Sequence, residues 1–199
     1  MSKLETNTID TVSGTSTLQV GSTNTSTITL GVSGDTINVP SGVTIANSGT
    51  ATGFGGANTP NFSVQDNAVQ AIPNNTITKL VWQTEDWDTA SAFASDKFTV
   101  PSGKEGKYFF YAGIDANPNA NNQTQEANLS IYKNGSLYRR TRFMSHTTYK
   151  GRYAPITIST SINLVANDYI QIYFYGYDSN SSHSLIANHT FFGGYRIGD

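Results

Sequence analysis

"EANLSIYKNGSLYRRTRF" (Glu126–Phe143) carries two runs of alternating apolar and polar residues, one on each side of Asn134-Gly135. Asn-Gly between two such runs is a strong β-hairpin signal, because both central residues of the favoured two-residue turn need a positive φ. The stretch therefore predicts two antiparallel strands joined by a tight turn.

The segments around this hairpin repeat the same strand pattern. Lys107–Ala116 is apolar on both faces, which predicts a central strand that is covered on both sides. Ala154–Leu164 and Tyr169–Tyr177 alternate and form a second predicted pair. Further predicted strands are Asn61–Gln65, Thr76–Gln83, Lys97–Val100 and Ala187–Ile197. No long segment has helical periodicity, so we predict an all-β fold, either a two-sheet sandwich or a jelly roll.

Three stretches, in this order, resemble the globular heads of the complement C1q and tumour necrosis factor superfamily. "FTVPSGKEGKYFFYAGIDA" (Phe98–Ala116) is similar to the motif that runs into the family's third main strand. "NLVANDYIQIYFYG" (Asn163–Gly176) resembles the penultimate strand, with Asn167-Asp168 where the family often has Gly-Asp. "HTFFGGYRIG" (His189–Gly198) resembles the closing Phe-x-Gly motif. The resemblance implies a C1q/TNF-like jelly-roll head at residues 59–199 that forms a homotrimer.

The residues before the head differ from it in composition. Phe54 is the only aromatic residue before residue 60, and Thr, Ser and Gly dominate there. Short alternating apolar sets, separated by glycines, predict strands that one chain cannot bury by itself. Candidates for the interface of a trimeric stalk are Ile28, Leu30, Ile37, Val39, Val43 and Ile45. We therefore predict an N-terminal anchor at 1–20, a β-rich trimeric stalk at 21–58 and the head at 59–199, with a disordered linker as the alternative to the stalk.

The composition argues against several classes of function. The formal net charge is −2, without a basic surplus to neutralise a phosphate backbone, so we expect no nucleic-acid partner. The chain has no cysteine, which excludes disulfides, thiolate metal sites and a cysteine nucleophile. No run approaches the roughly 20 apolar residues of a membrane-spanning helix, and "MSKLETNTID" lacks the apolar core of a signal peptide. We expect no membrane insertion and no cofactor.

Loop lengths predict a binding end on the head. Antiparallel strands place alternate connections at opposite ends, so the short turns at Asn134-Gly135 and Val165–Asp168 fall at one end. The resemblance to C1q-like heads implies that this end is the base, where the stalk enters. Four long connections then lie at the distal tip, where binding residues are common. They are approximately Thr84–Ser95, Asn117–Thr124, Ser145–Arg152 and Asp178–Ser184. The binding candidates there are Glu85, Asp86, Trp87, Asp88, Tyr149, Lys150, Arg152, Asp178 and His183. A Trp face beside acids suits a sugar ring; the alternatives are that Trp87 packs beneath its own loop and that the acids bind Ca²⁺.

Two sets of aromatic residues lie on the predicted strands. Phe109, Tyr111 and Tyr195 are candidates for the trimer interface, with burial inside the monomer as the alternative. Tyr173, Tyr175 and Tyr177 alternate with core-type residues and are interpreted as ordinary sheet surface.

The sequence contains no catalytic signature of the G-x-S-x-G, P-loop or H-E-x-x-H type, and its three histidines lie on separate segments without metal-ligand spacing. A Thr/Ser/Gly-rich stalk without a collagen Gly-X-Y period, joined to a C1q-like head, resembles bacteriophage fibres. We therefore expect a non-enzymatic virion protein that assembles in the host bacterial cytoplasm. It would be a short trimeric fibre or spike, held by other virion proteins through its N-terminus, whose head binds a host-surface glycan or protein. A capsid decoration or head-fibre protein and a hydrolytic spike are the alternatives.

Overall fold

The computed structural model describes residues 20–21, 24, 26–46, 48, 58–119, 124–145, 153–178 and 182–198. Backbone contacts divide the chain into two compact units, Met1–Thr52 and Gly53–Asp199. Of the predicted virion anchor, residues 1–19 lie outside this description. All thirteen strands found in the described residues belong to the C-terminal unit, which is the predicted head.

The head is built from strands, with no helix in its described residues. The strands are β1 (Asn61–Asp66), β2 (Gln70–Ile72), β3 (Thr78–Lys79), β4 (Thr84–Asp88), β5 (Phe93–Ala94), β6 (Lys97–Thr99), β7 (Gly106–Pro118), β8 (Glu126–Lys133), β9 (Ser136–Met144), β10 (Ala154–Leu164), β11 (Tyr169–Tyr177), β12 (His183–Leu185) and β13 (Thr190–Gly198). None of the described segments forms a helix long and apolar enough to cross a membrane. The all-β prediction is confirmed.

The strands form two antiparallel sheets. The seven-stranded sheet has the order β2-β12-β7-β13-β1-β4, and β10 pairs with the other edge of β7, so β7 is central as predicted. The six-stranded sheet has the order β5-β6-β11-β8-β9, with β3 also paired to β11. Side chains alternate between a buried and a more exposed face, as along β11. Two sheets that each bury one face form a jelly-roll sandwich.

Aromatic rings fill the space between the two sheets. The ring centroid of Phe62 lies 5.0 Å from that of Phe98 and 4.9 Å from that of Phe192. Phe110 and Tyr108 extend this cluster, and all five side chains are at most 1% exposed. Burying a Phe side chain contributes about 1.5–3 kcal/mol relative to leaving it exposed. Because Phe98 belongs to one sheet and Phe62 to the other, this cluster fixes the sheets against each other.

The tight turns gather at one end of the head. Asn134 and Gly135 have φ values of 52° and 76°, as the Asn-Gly signal predicts. Asn167 has a φ of 68°, so it takes the left-handed conformation that glycine adopts most readily. Asp168 joins these turns, since its Oδ1 accepts a hydrogen bond from Asn134 Nδ2 at 2.6 Å and its Oδ2 pairs with Lys133 Nζ at 2.8 Å. The hairpin prediction is confirmed.

The segment Thr76–Gln83 is not the long strand that its alternation predicts. Only Thr78–Lys79 forms a strand, which pairs with β11. Beyond it, the backbone N–H of Trp82 donates to Asp96 Oδ1 at 3.1 Å. Leu80 N–H still donates to Ile172 O of β11 at 2.9 Å, but at Trp82 the side-chain carboxylate takes the place of a ladder partner.

The N-terminal unit contains turns but no strand among its described residues, 20–21, 24, 26–46 and 48. The Asp35 N–H donates to Val32 O at 3.0 Å, and a second turn closes at Pro40–Val43 with 3.2 Å. Gly34 and Gly42 have φ values of 97° and 85° inside these turns, a conformation that favours glycine. The predicted stalk residues are all exposed, namely Ile28, Leu30, Ile37, Val39, Val43 and Ile45. The described part of a single chain thus lacks the predicted strands, and a stalk of three chains stays a prediction.

Candidate functional site

The acidic segment Glu85–Asp88 lies on strand β4 at the edge of the seven-stranded sheet, not in a distal loop. Asp88 pairs with Phe62 near the start of β1, and β1 lies next to β13, which in turn borders β7. Asn61 at the start of β1 is aligned through Tyr195 with Phe109 near the start of β7, where the tight turns gather. The acidic segment therefore lies on the side of the head, with Asp88 toward the end that carries the tight turns. The predicted position at the distal tip is wrong, since pairing with β1 holds the segment elsewhere.

The four side chains of this segment do not form one site. Asp86 accepts hydrogen bonds from two side chains of β1, both at 2.8 Å. Asp88 accepts hydrogen bonds from the backbone N–H of Ala90 in the following turn, at 3.2 Å, and of Phe93 at the start of β5, at 2.7 Å. Glu85 and Trp87 are exposed, so Trp87 does not pack beneath a loop. Among the described residues, no three His, Cys, Asp or Glu side chains are arranged to hold a metal ion, and the Ca²⁺ alternative gains no support there.

Trp87 belongs to a band of aromatic side chains on the outer side of the seven-stranded sheet. We call this band the aromatic face; its members are Trp87, Phe109, Tyr111, Phe191 and Tyr195. Trp87, Phe191 and Tyr195 are 51%, 39% and 36% exposed. A cavity of about 230 Å³ opens between Trp87, Tyr111 and Tyr195. The three residues predicted for the trimer interface therefore lie together and face away from the core, and the alternative of burial inside the monomer is wrong.

Two glycines let these rings lie flat against the sheet. The Phe191 ring covers Gly113 so closely that a Cβ at Gly113 would overlap it. The Tyr111 ring and hydroxyl cover Gly193 in the same way. Because β7 and β13 each supply one ring and one glycine, the surface is flat and apolar. Contiguous apolar surfaces of this kind are typical of contacts with another protein.

Asp178 and His183, predicted as ligands at the distal tip, are fully buried. His183 lies in β12, which pairs with both β2 and β7, and its ring packs edge-on against Phe174. Neither ring nitrogen of His183 has a hydrogen-bond partner within the described ranges. Burial lowers the pKa of His183, and the charge of Asp178 opposes that effect. This part of the binding prediction is wrong. The pairing of the short strand β12 with β2 and β7 buries His183, and two hydrogen bonds join the backbone of the buried Asp178 to the Asn74 side chain.

The remaining tip candidates lie outside the described residues; they are Tyr149, Lys150 and Arg152. The described ends of the long connections do meet at one end of the head. Asn119 N–H donates to Ser182 O at 3.0 Å, Gln125 N–H donates to Tyr177 O at 2.9 Å, and Ser145 N–H donates to Gln125 O at 3.0 Å. The structure therefore brings together three of the four predicted long connections and separates the acidic segment from them.

The outer side of the six-stranded sheet carries the three tyrosines that are predicted as ordinary sheet surface, together with two arginines. Tyr173, Tyr175 and Tyr177 alternate with buried residues along β11. Arg140 and Arg142 lie on β9, the edge strand of the same sheet. The period-two pattern of each strand is visible in the sequence. The register that places the two rows side by side depends on strand pairing, which the local pattern does not specify.

Comparison with known structures identifies the fold. Eiger TNF from S. frugiperda aligns with a TM-score of 0.52 and 14% identity, over 70% of this chain and 92% of that chain. Murine APRIL aligns with a TM-score of 0.51 and 14% identity, over 69% of this chain and 98% of that chain. The globular domain of zebrafish complement 1qA protein aligns with a TM-score of 0.48 and 14% identity, over 70% and 98%.

No protein-family model and no curated protein sequence matches the chain. At 14% identity, the structural alignments with Eiger TNF and APRIL show the fold alone. The head has a C1q/TNF-like jelly-roll fold, as the sequence resemblance predicts.

Proposed function

We propose that the protein is a non-enzymatic, trimeric fibre or spike of a virion, whose head binds a glycan or protein on the host surface. The observation that carries the proposal is the aromatic face, which a single chain leaves partly or largely exposed on one flat side of the head. Soluble monomers rarely expose a contiguous apolar patch unless it is an interaction site.

The aromatic face is suited to contact with copies of the same chain. Covering a half-exposed aromatic side chain contributes about 1 kcal/mol, and a symmetric assembly repeats this gain at every subunit. The cavity of about 230 Å³ beside Trp87 offers room for a side chain of a neighbouring subunit. The resemblance of the sequence to trimeric C1q/TNF heads points to three subunits.

The N-terminal unit supports the fibre part of the proposal. Its described apolar side chains are exposed, among them Leu30 and Val32, and two of its turns are closed by backbone hydrogen bonds. One chain offers these side chains no core, whereas three copies side by side would bury them along a shared axis. In this proposal, residues before the stalk attach to other virion proteins.

Sedimentation equilibrium tests the assembly. We expect the mass of three chains for the wild type and of one chain for Tyr111→Arg, because an unpaired charge is costly in an apolar interface. Gln171→Arg introduces the same charge on the outer face of the other sheet and should remain trimeric. A wild-type monomer at micromolar concentration would contradict the proposal.

Electron microscopy of particles labelled with an antibody against the head tests the location. We expect label at a fibre or spike, together with binding of the purified trimer to host cells. Label spread over the capsid without cell binding would support the capsid-decoration alternative instead. Host polysaccharide incubated with the protein should keep its length, since shortening would reveal hydrolytic activity.

A further inference from the structure

The outer side of the six-stranded sheet carries a second organised surface. We call it the tyrosine–arginine face; its members are Tyr132, Tyr173, Tyr175, Tyr177, Arg140 and Arg142. In the sheet register, Tyr173 and Tyr175 of β11 lie opposite Ser130 and Asn128 of β8. The same two β8 residues lie opposite Arg140 and Arg142 of β9. A row of tyrosines and a row of arginines therefore run parallel, with β8 between them.

The tyrosine rings are held in place by their neighbours. The ring centroids of Tyr132 and Tyr173 are 4.1 Å apart. Tyr175 Oη donates a hydrogen bond to Asn75 Oδ1 at 2.8 Å. The small side chains of β8 between the two rows are buried, so the larger tyrosine and arginine side chains form the surface. A surface of ordered aromatic rings loses little conformational entropy when a ligand binds.

Positive charge exceeds negative charge along the arginine row. Arg142 Nε pairs with Glu126 Oε1 at 2.9 Å, and Arg140 Nε donates to a serine hydroxyl at 3.3 Å. Burial by itself would raise the pKa of Glu126, but hydrogen bonds from Asn128 and Arg142 and the charges of both arginines hold it below its usual value. Two guanidinium groups thus accompany one carboxylate along this row, although the whole chain has a formal net charge of −2.

We propose that the tyrosine–arginine face binds an acidic polysaccharide. Side chains two residues apart on a strand are spaced by about 6.8 Å, so the two rows form a regular array that an extended, repeating polymer can follow. Tyrosine rings stack on the apolar faces of sugar rings while their hydroxyls form hydrogen bonds. Guanidinium groups bind carboxylate, sulfate or phosphate groups through two parallel hydrogen bonds.

This inference rests on the proposed function, because it names the ligand class and the surface that the head uses. The tyrosine–arginine face lies on the opposite sheet from the aromatic face. A trimer formed through the aromatic face therefore leaves the tyrosine–arginine face of each subunit accessible. Charge complementarity selects an acidic ligand over a neutral one, and the repeated spacing favours a polymer.

Titration of the purified full-length protein with polygalacturonate and with heparin tests the inference. We expect saturable binding that weakens as the salt concentration rises, because exposed charge pairs are screened, and no binding of neutral dextran. The double variant Arg140→Gln/Arg142→Gln should bind at least about tenfold more weakly. Tyr177→Ala, which keeps the charge, should bind about threefold more weakly.

The matched control is Lys104→Gln/Lys107→Gln, which removes the same charge from a turn and strand outside the six-stranded sheet. It should bind like the wild type, and all variants should keep the wild-type mass and thermal midpoint. Equal binding by the arginine variant and this control would overturn the inference, as would absence of binding by the wild type. Equal affinity for poly-glutamate would also overturn it, because the face would then suit acidic protein segments. These results are independent of sedimentation and particle labelling, so the inference can fail while the proposed function stands.

Discussion

The buried His183 should make the head sensitive to acid, and replacing it with phenylalanine should remove that sensitivity. His183 is 0% exposed, and neither Nδ1 nor Nε2 has a hydrogen-bond partner within the described ranges. Its ring packs against Phe174, and a Cβ at Gly176 would lie 2.7 Å from Nδ1. The charged group that acts on it is Asp178, whose effect is smaller than that of burial.

The sign of the pH dependence follows from whether the folded or the unfolded state binds the proton more readily. Burial lowers the pKa of His183 in the folded state below 6.5, because a proton would leave an unpaired charge in the core. In the unfolded chain, the same side chain binds a proton as the pH falls below about 6.5. The unfolded state then holds more protons, so the free energy of unfolding decreases toward acid by up to about 1.4 kcal/mol per pH unit. The decrease ends at the folded-state pKa, and no effect of this group is expected above about pH 7.

Urea unfolding from about pH 8 to about pH 5 measures this dependence through the fluorescence of Trp82 and Trp87. Protein concentration is held constant, because association contributes to stability. The free energy of unfolding of His183→Phe minus that of the wild type should be constant above about pH 7 and then rise by up to about 1.4 kcal/mol per unit. His189→Gln is the control, since its side chain is 60% exposed, and it should keep the wild-type dependence.

A constant difference between the wild type and His183→Phe over the whole range would refute the reasoning. Packing differences between imidazole and phenyl rings do not titrate, so they add only a constant. Loss of the acid dependence in His189→Gln would assign the titration to that histidine instead.

Two further substitutions test the turns and the aromatic face. Asp168→Ala removes the partner of Lys133 Nζ and should lower the free energy of unfolding at neutral pH by about 3 kcal/mol. Burial alone would raise the pKa of Asp168, but hydrogen bonds from Lys133 and from the turns lower it. The stabilisation by Asp168 is therefore present above about pH 4 and is lost as the pH falls through the folded-state pKa. If urea unfolding gave the same difference in free energy of unfolding between Asp168→Ala and the wild type at about pH 2 as at neutral pH, this account would be contradicted. Gly193→Ala places a Cβ against the Tyr111 hydroxyl, so the association constant of the trimer should fall at least about tenfold in sedimentation equilibrium. The control is Gly198→Ala, whose Cβ meets open space and which should associate like the wild type. Equal association constants for Gly193→Ala and the wild type would show that the aromatic face is not the contact between subunits.

Strands were predictable where turn chemistry and alternation agree. Asn134-Gly135 fixes a hairpin because few residues tolerate a positive φ at both central positions. Lys107–Ala116 is apolar on both faces and is indeed the central strand β7. Thr76–Gln83 alternates equally well, yet only Thr78–Lys79 forms a strand, and Asp96 takes the place of a ladder partner at Trp82. That outcome depends on a residue outside the segment, so the segment's own pattern does not contain it.

Site residues were predictable only where a strand's own alternation determines their side. Phe109 and Tyr111 are two residues apart on β7, so the alternation of the strand correctly places both side chains on its outer face. Asp178 and His183 have the sequence pattern of polar loop residues, but both are buried. His183 is buried by the pairing of β12 with two distant strands, and Asp178 is held by the distant Asn74 side chain. The acidic segment Glu85–Asp88 reads as a loop for the same reason, because its pairing with β1 is set by contacts remote in sequence.

On β7 and β13, two glycines each lie opposite an aromatic ring, so the residue allowed at each of these four positions depends on its partner. Phe191 lies opposite Gly113, and Tyr111 lies opposite Gly193. A larger residue at either glycine requires a smaller one opposite, and a smaller residue in place of either ring uncovers bare backbone. As the sequence diverges, the members of each pair should change together or not at all. Covariation between positions 113 and 191, and between 111 and 193, would identify the homologues that keep the same flat surface.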